Sequence, residues 1–320
     1  MARTILVTGA AGFIGSHTAE ALQARGDHVV GIDNFNDYYS PQRKRRNAEA
    51  VRDAGAELLE GDLRDGSLIA DLFSRHNFDA VIHLAAMAGV RASVAEPRLY
   101  LDVNCGGTLE LLEACRTHDC RRFVFASTSS VYGRSKDIPF REDQSCDRPL
   151  APYPASKRAA ELLGHAYCHL HRFAFTALRF FTVYGPRGRP DMMPYKVLDN
   201  IFTGREVPLY NEGKLHRDWT YVGDIVNGIV AATELDDGYQ IINLGNGDPV
   251  LLADFIALLE ALAGKKTNLR PEPLAPADVP YTFADIARAR ERLGYAPTVG
   301  VEEGTERFFR WYTQEVLGAL

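Results

Sequence analysis

Three observations in the amino-acid sequence predict an α/β fold, a Rossmann-type doubly wound parallel sheet with a smaller C-terminal α/β lobe. Short apolar segments alternate with helical segments over the first 180 residues. A glycine-rich turn follows the first apolar segment. After Phe180 the alternation loosens into a stretch rich in glycine, proline and arginine. Strands that alternate with helices form a parallel sheet covered on both faces.

The predicted strands are short apolar runs, as expected for strands buried on both faces. They span residues 4–8, 28–33, 57–59, 80–84, 122–127 and 174–179. The predicted helices run from the glycine turn to about residue 25, then over 68–75, 104–117, 154–171 and 195–203. We expect residues 1–180 to form the first domain and residues 181–320 mainly the smaller lobe, with segments at about 215–245 returning to the first domain.

Composition limits the class of protein. The chain has 320 residues, is 46% apolar and carries a net charge of −6, which argues against a nucleic-acid partner. Its five cysteines form no CxxC pair, a pattern that fits reduced thiols. Glycines interrupt the N-terminal apolar stretch, and no window offers the roughly 20 apolar residues of a membrane span. We therefore expect a soluble, cytoplasmic protein that binds no membrane.

The only block of charge is Arg43-Lys44-Arg45-Arg46. We interpret it mainly as the solvated face of a helix. Contact with a cofactor or a phosphate is the alternative.

The turn after the first predicted strand has the spacing of a dinucleotide-binding motif. Gly9, Gly12 and Gly15 form a GxxGxxG pattern that opens a helix. Glycines permit the tight turn and let backbone amides approach a pyrophosphate at the helix N-terminus. Asp33 ends the second strand, where its carboxylate can bind the adenosine ribose hydroxyls and would repel a 2′-phosphate. The sequence therefore predicts NAD rather than NADP, with Asp62 placed to meet the adenine or, alternatively, to cap a turn.

A second pair of motifs points to proton transfer. Tyr153 and Lys157 lie one helical turn apart in the segment YPASK, on one face of the predicted helix. A lysine there would lower the pKa of the tyrosine, because a nearby cation favours the phenolate. A phenolate is a general base that can act near neutral pH. Thr128, in the segment STSSVYG, supplies a hydroxyl that could share the same substrate oxygen.

These motifs resemble the extended short-chain dehydrogenase/reductase family, and within it the nucleotide-sugar epimerases. The similarity covers almost the whole chain and is greatest for the UDP-glucuronate 4-epimerases. The segments that carry it are TGAAGFIG at 8–15, DNFNDYY at 33–39, HLAAMAGVRAS at 83–93, STSSVYG at 127–133, YPASK at 153–157, RFFTVYGPRGRPDM at 179–192 and RDWTYVGD at 217–224.

The resemblance implies which residues contact the cofactor and the UDP-sugar. Tyr153, Lys157 and Thr128 would be catalytic, and no metal site is implied. Besides the glycines, the two aspartates, Tyr153 and Lys157, the implied NAD contacts are Phe13, Ile14, Asn34, Leu63, Leu84, Ala85 and Ala86. Besides Thr128, the implied UDP-sugar contacts are Arg91, Ser129, Ser130, Thr182, Arg189, Arg217 at the diphosphate and Asp278 at the ribose.

The implied reaction uses tightly held NAD⁺ as a resident oxidant. Tyr153 would remove the proton of the sugar 4-hydroxyl while hydride leaves C4 for the nicotinamide. Thr128 would share the hydrogen bond to that oxygen, and Lys157 would contact the nicotinamide ribose. The 4-keto sugar then turns its other face, so that the returning hydride inverts C4 and restores NAD.

Two serines distinguish this chain from related enzymes. Dehydratases of the family carry Asp-Glu at the positions of Ser129 and Ser130, and UDP-glucuronate decarboxylases keep Glu at the second. Without a carboxylate here, elimination lacks its acid and base. A 4-keto uronate is also a β-keto acid, which loses CO₂ when its C–CO₂ bond aligns with the ketone. We hypothesise that a set of side chains holds this carboxylate in an unproductive orientation: Thr128, Ser129, Ser130 and Thr182, with charge from Arg189.

Other functions stay open at this stage. A UDP-glucose/UDP-galactose 4-epimerase and a UDP-glucuronate decarboxylase are the enzyme alternatives. A non-catalytic NAD-binding regulator is a remote one, since such proteins typically lose the tyrosine or the lysine. Thr282 replaces the bulky tyrosine of hexose-restricted members, which would leave room near the C5 substituent, and Met87 stands where these epimerases usually have Gln. Family members commonly dimerise through two helices per subunit, so we expect a homodimer through residues 97–117 and 154–171.

Overall fold

The computed structural model describes residues 2–318 and contains twelve strands and twelve α-helices in that range. The strands are β1 (Thr4–Thr8), β2 (His28–Asp33), β3 (Glu57–Glu60), β4 (Ala80–His83), β5 (Arg122–Thr128), β6 (Ala174–Phe180), β7 (Thr182–Tyr184), β8 (Val207–Tyr210), β9 (His216–Tyr221), β10 (Tyr239–Leu244), β11 (Pro249–Leu251) and β12 (Leu269–Glu272). The helices are α1 (Phe13–Arg25), α2 (Pro41–Asp53), α3 (Gly66–Arg75), α4 (Val90–Ala95), α5 (Pro97–Leu101), α6 (Gly107–Thr117), α7 (Pro152–His171), α8 (Met193–Thr203), α9 (Val222–Ala232), α10 (Leu252–Ala263), α11 (Ala287–Leu293) and α12 (Val301–Trp311).

Seven strands form one parallel sheet in the order β10-β6-β5-β4-β1-β2-β3. The chain winds outward from β1 to β3 and then returns to β4 on the other side of β1. This reversal opens a crevice at the carboxyl ends of β1 and β4. Ligands of open α/β sheets bind at such a point, so the topology itself positions the site.

The central strand β1 shows why both faces of the sheet are covered. Ile5 and Val7 pack in one apolar cluster, with residues of α1, α9 and α11. Leu6 points the other way and packs with residues of α3, α6 and α7. All three side chains are completely buried. Because successive residues of a strand alternate between faces, an unbroken apolar run is what a sheet with two covers requires.

The smaller lobe has its own apolar core. Strand β9 pairs parallel with β7 and antiparallel with β11, and β8 pairs with β12 in a separate two-stranded sheet. Residues of α8, α10 and α12 pack on Trp219 of β9. The Trp219 ring stacks on Phe255 of α10 with the centroids 4.2 Å apart. This lobe supplies the far wall of the crevice.

The predicted α/β class and parallel sheet are confirmed, and the predicted strand ends differ by one residue at most. The helix predicted at 104–117 begins earlier in the structure. A π-helical turn at Asp102–Gly106 joins α5 to α6, so helical structure extends back to Pro97. The segment at about 215–245, which was expected to return to the first domain, does so only in part. Strand β9 belongs to the small sheet, whereas α9 packs on α1 and β10 pairs with β6. The domain boundary at residue 180 remains a proposal.

No helix within residues 2–318 is both long and apolar enough to cross a membrane.

Candidate active site

A cleft of about 370 Å³ lies at the carboxyl ends of the parallel strands, between the sheet and the smaller lobe. It gathers most of the residues that the sequence singled out, although they are spread over 180 positions. The predicted residues that line it are Gly9, Gly12, Phe13, Ile14, Gly15, Asp33, Asn34, Asp62, Leu63, Leu84, Ala85, Ala86, Thr128, Ser129, Ser130, Tyr153, Lys157, Thr182 and Arg189. Arg91, Arg217 and Asp278 are not among its lining residues.

The glycine turn is built by close backbone contact. A Cβ on Gly15 would lie 2.0 Å from the carbonyl oxygen of Gly9, so a side chain there is excluded. Gly9 has a φ of +69°, and a Cβ on it would meet Ala85 at 2.9 Å, across the crevice from β1 to β4. The turn therefore presents bare backbone at the start of α1, as a pyrophosphate site requires.

Two carboxylates shape the end of the cleft beside β2 and β3. Asp33 is buried and accepts hydrogen bonds from the backbone N–H groups of Ala11 (3.1 Å) and Phe35 (2.9 Å). Burial raises the pKa of Asp33 in spite of these bonds. Asp62 accepts from Arg64 and from Asn34, and its hydrogen bonds with Arg64 hold the pKa of Asp62 well below its usual range. Asp33 thus ties the glycine turn to the start of the next loop.

Tyr153 lies in the first turn of α7, half-buried and beside Thr128, the last residue of β5. Burial raises the pKa of the Tyr153 phenol, whereas the charge of Arg189 and a hydrogen bond with Thr128 lower it. Lys157 is not among these influences. Arg189 is the cation that lowers the pKa of the phenol in this structure, and the expectation that Lys157 does so stays a prediction.

Lys157 is the most unusual ionisable group of the cleft. Its side chain is 2% exposed, and its Nζ has no hydrogen-bond partner within the described part of the chain. Its Nζ lies 4.6 Å from the centroid of the Phe125 ring. Burial lowers the pKa of Lys157 to about 7. A buried ammonium without an acceptor is costly, so the site is built for a ligand that supplies one.

One turn after Lys157, Glu161 fixes α7 against the sheet. Its carboxylate accepts two bonds of 2.9 Å from Arg179 of β6 and one of 2.6 Å from Ser127 of β5. Arg158 adds a further bond of 2.9 Å. Glu161 and Arg179 are at most 1% exposed. The network sets the distance of α7 from the strands that carry Thr128 and Thr182.

Hydroxyls surround the tyrosine where related enzymes carry acids. Ser129 and Ser130 begin a 3₁₀ turn directly after β5, and the N–H of Ser130 donates to Thr128 Oγ1 at 3.2 Å. Thr182 opens β7 on the opposite wall. Arg189 lines the same region, but its guanidinium already binds Asp191 through two hydrogen bonds of 2.9 and 2.7 Å. The positive charge of Arg189, which was expected to help hold a substrate carboxylate, is thus partly balanced by Asp191.

Arg91, Arg217 and Asp278 form a second cluster. Arg91 pairs with Asp278, and its guanidinium lies 3.7 Å from the ring centroid of Tyr210. Arg217 is half-buried beside this pair, and burial lowers its pKa to about 10. The cluster joins α4 of the first domain to strands and loops of the smaller lobe.

Sequence reasoning missed several residues at the site. Tyr38 donates to Asp191 Oδ2 at 3.1 Å and, with Asp191, holds Arg189. Lys44 is 5% exposed, lines the cleft and donates to Asn36 Oδ1 at 2.7 Å, so the solvated-face interpretation of the basic run is wrong for Lys44. Tyr38 and Asp191 lie in DNFNDYY and RFFTVYGPRGRPDM, two segments that carry the family resemblance. That membership is the one signal in the sequence that could have pointed to them.

Two residues that depart from the family pattern do not themselves line the cleft, but Met87 Sδ lies 4.0 Å from the amide nitrogen of Asn36, which does. The backbone of Met87 is held by Asn104, through N–H and C=O bonds of 2.9 Å each, and Met87 is not a lining residue. Thr282 is buried and accepts a bond from the N–H of Asp218 at 3.3 Å, away from the lining. The expected extra room at Thr282 near the C5 substituent stays a prediction.

Comparison with known proteins decides the family. Residues 5–245 match the NAD dependent epimerase/dehydratase family. The chain belongs to this family. It is 41% identical over 328 residues to UDP-glucuronate 4-epimerase 4 of Arabidopsis thaliana, covering 97% of this chain and 75% of the relative.

Solved structures of epimerases superpose closely on the chain. It is similar to the UDP-glucuronic acid 4-epimerase of Bacillus cereus in complex with UDP-glucuronic acid and NAD, with a TM-score of 0.91, 35% identity and coverage of 97% and 99%. A UDP-glucose 4-epimerase of Thermotoga maritima with UDP-glucose gives a TM-score of 0.89, 30% identity and the same coverage of 97% and 99%.

The residues of this epimerase/dehydratase family member fit NAD. The glycine turn leaves the space that Cβ atoms would fill, and Asp33 stands at the end of β2 beside it. The unpartnered Lys157 Nζ would find its acceptor in a cofactor hydroxyl. A cofactor in this cleft would lie along Gly9–Gly15, Asp33 and Lys157, and it would supply a redox partner next to Tyr153.

The pKa of Lys157 predicts a pH-dependent stability. Between pH 7 and pH 10.5 the unfolded chain carries a proton on Lys157 that the folded, cofactor-free chain does not. The free energy of unfolding should therefore rise with pH across this window, by at most about 1.4 kcal/mol per pH unit from this residue. Denaturant unfolding of cofactor-free wild type and Lys157→Met at several pH values isolates the effect as a difference. Parallel stability curves for the two proteins would contradict it.

Proposed function

We propose that this epimerase/dehydratase family member inverts C4 of UDP-glucuronate to give UDP-galacturonate, with NAD as a resident cofactor. The observation that carries the proposal is the combination of Tyr153 beside Thr128 with Ser129 and Ser130 in place of acids. The names of the similar proteins from Arabidopsis thaliana and Bacillus cereus support a uronate, whereas the Thermotoga maritima relative keeps UDP-glucose as the alternative substrate.

Tyr153 is the general base of the proposed mechanism. Its phenolate removes the proton of the sugar 4-hydroxyl, and the hydroxyl of Thr128 bonds the same oxygen. Arg189 lowers the pKa of Tyr153 and so favours the phenolate. NAD, when bound, supplies a two-electron acceptor and donor for the sugar carbon. Tyr153 returns the proton to the oxygen once C4 has been inverted.

The hydroxyls next to Tyr153 support epimerisation over elimination. Dehydration needs an acid and a base across C5–C6, and Ser129 and Ser130 offer neither at neutral pH. They offer hydrogen bonds to a carboxylate instead. We propose that both serines and Thr182 hold the C5 carboxylate with its C–CO₂ bond out of line with the C4 ketone, which suppresses loss of CO₂.

We assign the nucleotide end of the substrate to the second cluster. Arg217 would bind the diphosphate, Asp278 the ribose, and Arg91 the nearby phosphate or ribose oxygens. Arg91 and Asp278 pair with each other in this structure, so they are already within reach of one ligand. Loss of affinity for UDP in an Arg217→Ala chain would support this assignment.

We also propose a homodimer that works in the cytoplasm. Helices α6 and α7 pack side by side and leave Leu109 (39% exposed) and Leu162 (54% exposed) uncovered, beside Leu101 (47%) of α5. Two copies that pair these faces would bury the leucines in a four-helix bundle. A monomeric mass by light scattering would rule the dimer out.

All five cysteines are free, which fits the proposed cytoplasmic location, because the cytoplasm is a reducing compartment. Cell fractionation tests this location.

The proposed reaction should proceed without added cofactor. Purified protein incubated with UDP-glucuronate alone should form UDP-galacturonate, followed by NMR. Tyr153→Phe should lower turnover by at least about 100-fold, because proton transfer by a positioned group contributes 10²–10⁴-fold. The matched control is Tyr239→Phe, because the buried hydroxyl of Tyr239 has no hydrogen-bond partner among residues 2–318 and lies outside the cleft lining. Turnover of UDP-galactose with an inert uronate would refute the substrate assignment.

The proposed carboxylate clamp makes a separate prediction about products. Ser129→Ala and Ser130→Ala should each raise the ratio of decarboxylated, pentose-type product to UDP-galacturonate by about fivefold, since one hydrogen bond is worth about 1 kcal/mol. Ser145→Ala is the control, because Ser145 is exposed, bonds Asp147 and does not line the cleft. The NMR spectra that measure epimerisation also report the pentose. An unchanged ratio in the double variant would mean that the serines do not hold the carboxylate.

A further inference from the structure

A group of two histidines and one glutamate lies at the opposite end of the parallel sheet from the cleft. His28 is the first residue of β2, Glu57 is the first residue of β3, and His76 follows the last residue of α3. None of the three lines the cleft. The family resemblance implied no metal site, and 48 positions separate His28 from His76 in the sequence.

The pairing of β2 with β3 explains why two of these side chains meet. Glu57 is the register partner of Val30, and His28 lies two residues before Val30. His28, Val30 and Glu57 therefore share one face of the sheet. Val30 packs there against residues of α3, the helix that ends just before His76. The fold thus directs three elements to one point.

The geometry is close to that of a metal site. One nitrogen of each histidine and one carboxylate oxygen of Glu57 all lie within 4.8 Å of one another. His76 Nε2 and Glu57 Oε2 are 3.8 Å apart. Ligands at about 2.1 Å from a tetrahedral ion are about 3.4 Å from each other. Only small rotations are needed, and His28 and Glu57 are exposed enough to make them without disturbing the core.

The third ligand is held in place, and neighbouring cations are occupied elsewhere. The ring of His76 stacks on Phe78, with the centroids 5.5 Å apart, and its side chain is only 18% exposed. Arg75, next in sequence, pairs with Asp71. Arg3, whose carbonyl accepts the N–H of His28, pairs with Glu234 and Asp27. The cluster therefore presents two imidazoles and one carboxylate to a cation.

We propose that His28, Glu57 and His76 bind one zinc ion, with water completing the coordination. Two imidazoles and a carboxylate form a donor set that zinc uses in proteins. The role is structural. β3 is the edge strand of the seven-stranded sheet, and the ion would cross-link it to β2 and to the end of α3. Asp33 lies five residues along β2, about 17 Å away, so the ion would not touch the cofactor site.

Calorimetric titration of the purified, chelator-treated full chain with zinc chloride tests the proposal. Wild type should bind one equivalent and unfold at a higher temperature when zinc is present. His76→Ala, Glu57→Gln and His28→Ala should each weaken this binding by about tenfold or more, as loss of a ligand interaction does. Cobalt bound at the site should give the visible absorption of tetrahedral Co²⁺, a readout that is independent of stability and of turnover.

The matched control is the double variant His165→Ala/His169→Ala. These two exposed histidines lie four residues apart on α7, where they could hold an ion by themselves. The control should titrate like wild type. Zinc binding that survives in all three cluster variants, or that disappears with His165 and His169, would overturn the proposal. So would a wild-type chain that takes up no zinc. Because Glu57 is half-exposed, Glu57→Gln keeps the test valid even if a histidine variant folds poorly.

Discussion

The buried ion pair of Glu161 and Arg179 is the interaction on which the catalytic arrangement depends. Register places Ser127 of β5 opposite Arg179 of β6, and both side chains reach the Glu161 carboxylate on α7. Breaking such a buried pair costs about 3–5 kcal/mol, because one charge is left uncompensated. The ion pair therefore fixes the distance between α7 and the sheet. Lys157 and Tyr153 lie one and two turns away along it, which brings the phenol to Thr128.

Burial and nearby charge have opposite effects on the ionisation of Tyr153, which the YPASK motif alone does not show. Burial disfavours both ionised forms, the phenolate of Tyr153 and the ammonium of Lys157. Arg189 favours the phenolate from the opposite wall, and Asp191 and Tyr38 hold Arg189 there. Lys157 Nζ has no hydrogen-bond acceptor within residues 2–318 and can therefore bond a ligand. The cation that lowers the pKa of Tyr153 is Arg189, which follows β7 in the smaller lobe.

Local patterns carried most of the fold and part of the site. Apolar runs and the glycine turn depend on neighbouring residues, so the Gly9–Gly15 turn and six of the seven strands of the parallel sheet could be predicted from sequence, the strand ends to within a residue, whereas β10 and the strands of the smaller lobe were not predicted. The contacts that tertiary packing decides could not. Arg91 with Asp278 and His28 with His76 join residues with no periodic relation. Lys44 reads as part of a basic surface run, yet its ammonium turns inward to Asn36 because that loop offers two oxygens.

Charge balance also explains why hydroxyls suit the positions after Thr128. A carboxylate at Ser129 or Ser130 would lie beside the phenol of Tyr153 and raise its pKa further, because like charges disfavour ionisation. Asp191 brings a negative charge into the cleft, but the paired guanidinium of Arg189 neutralises it and still lowers the pKa of Tyr153. Neutral donors next to Tyr153 therefore add no negative charge that would further disfavour the phenolate.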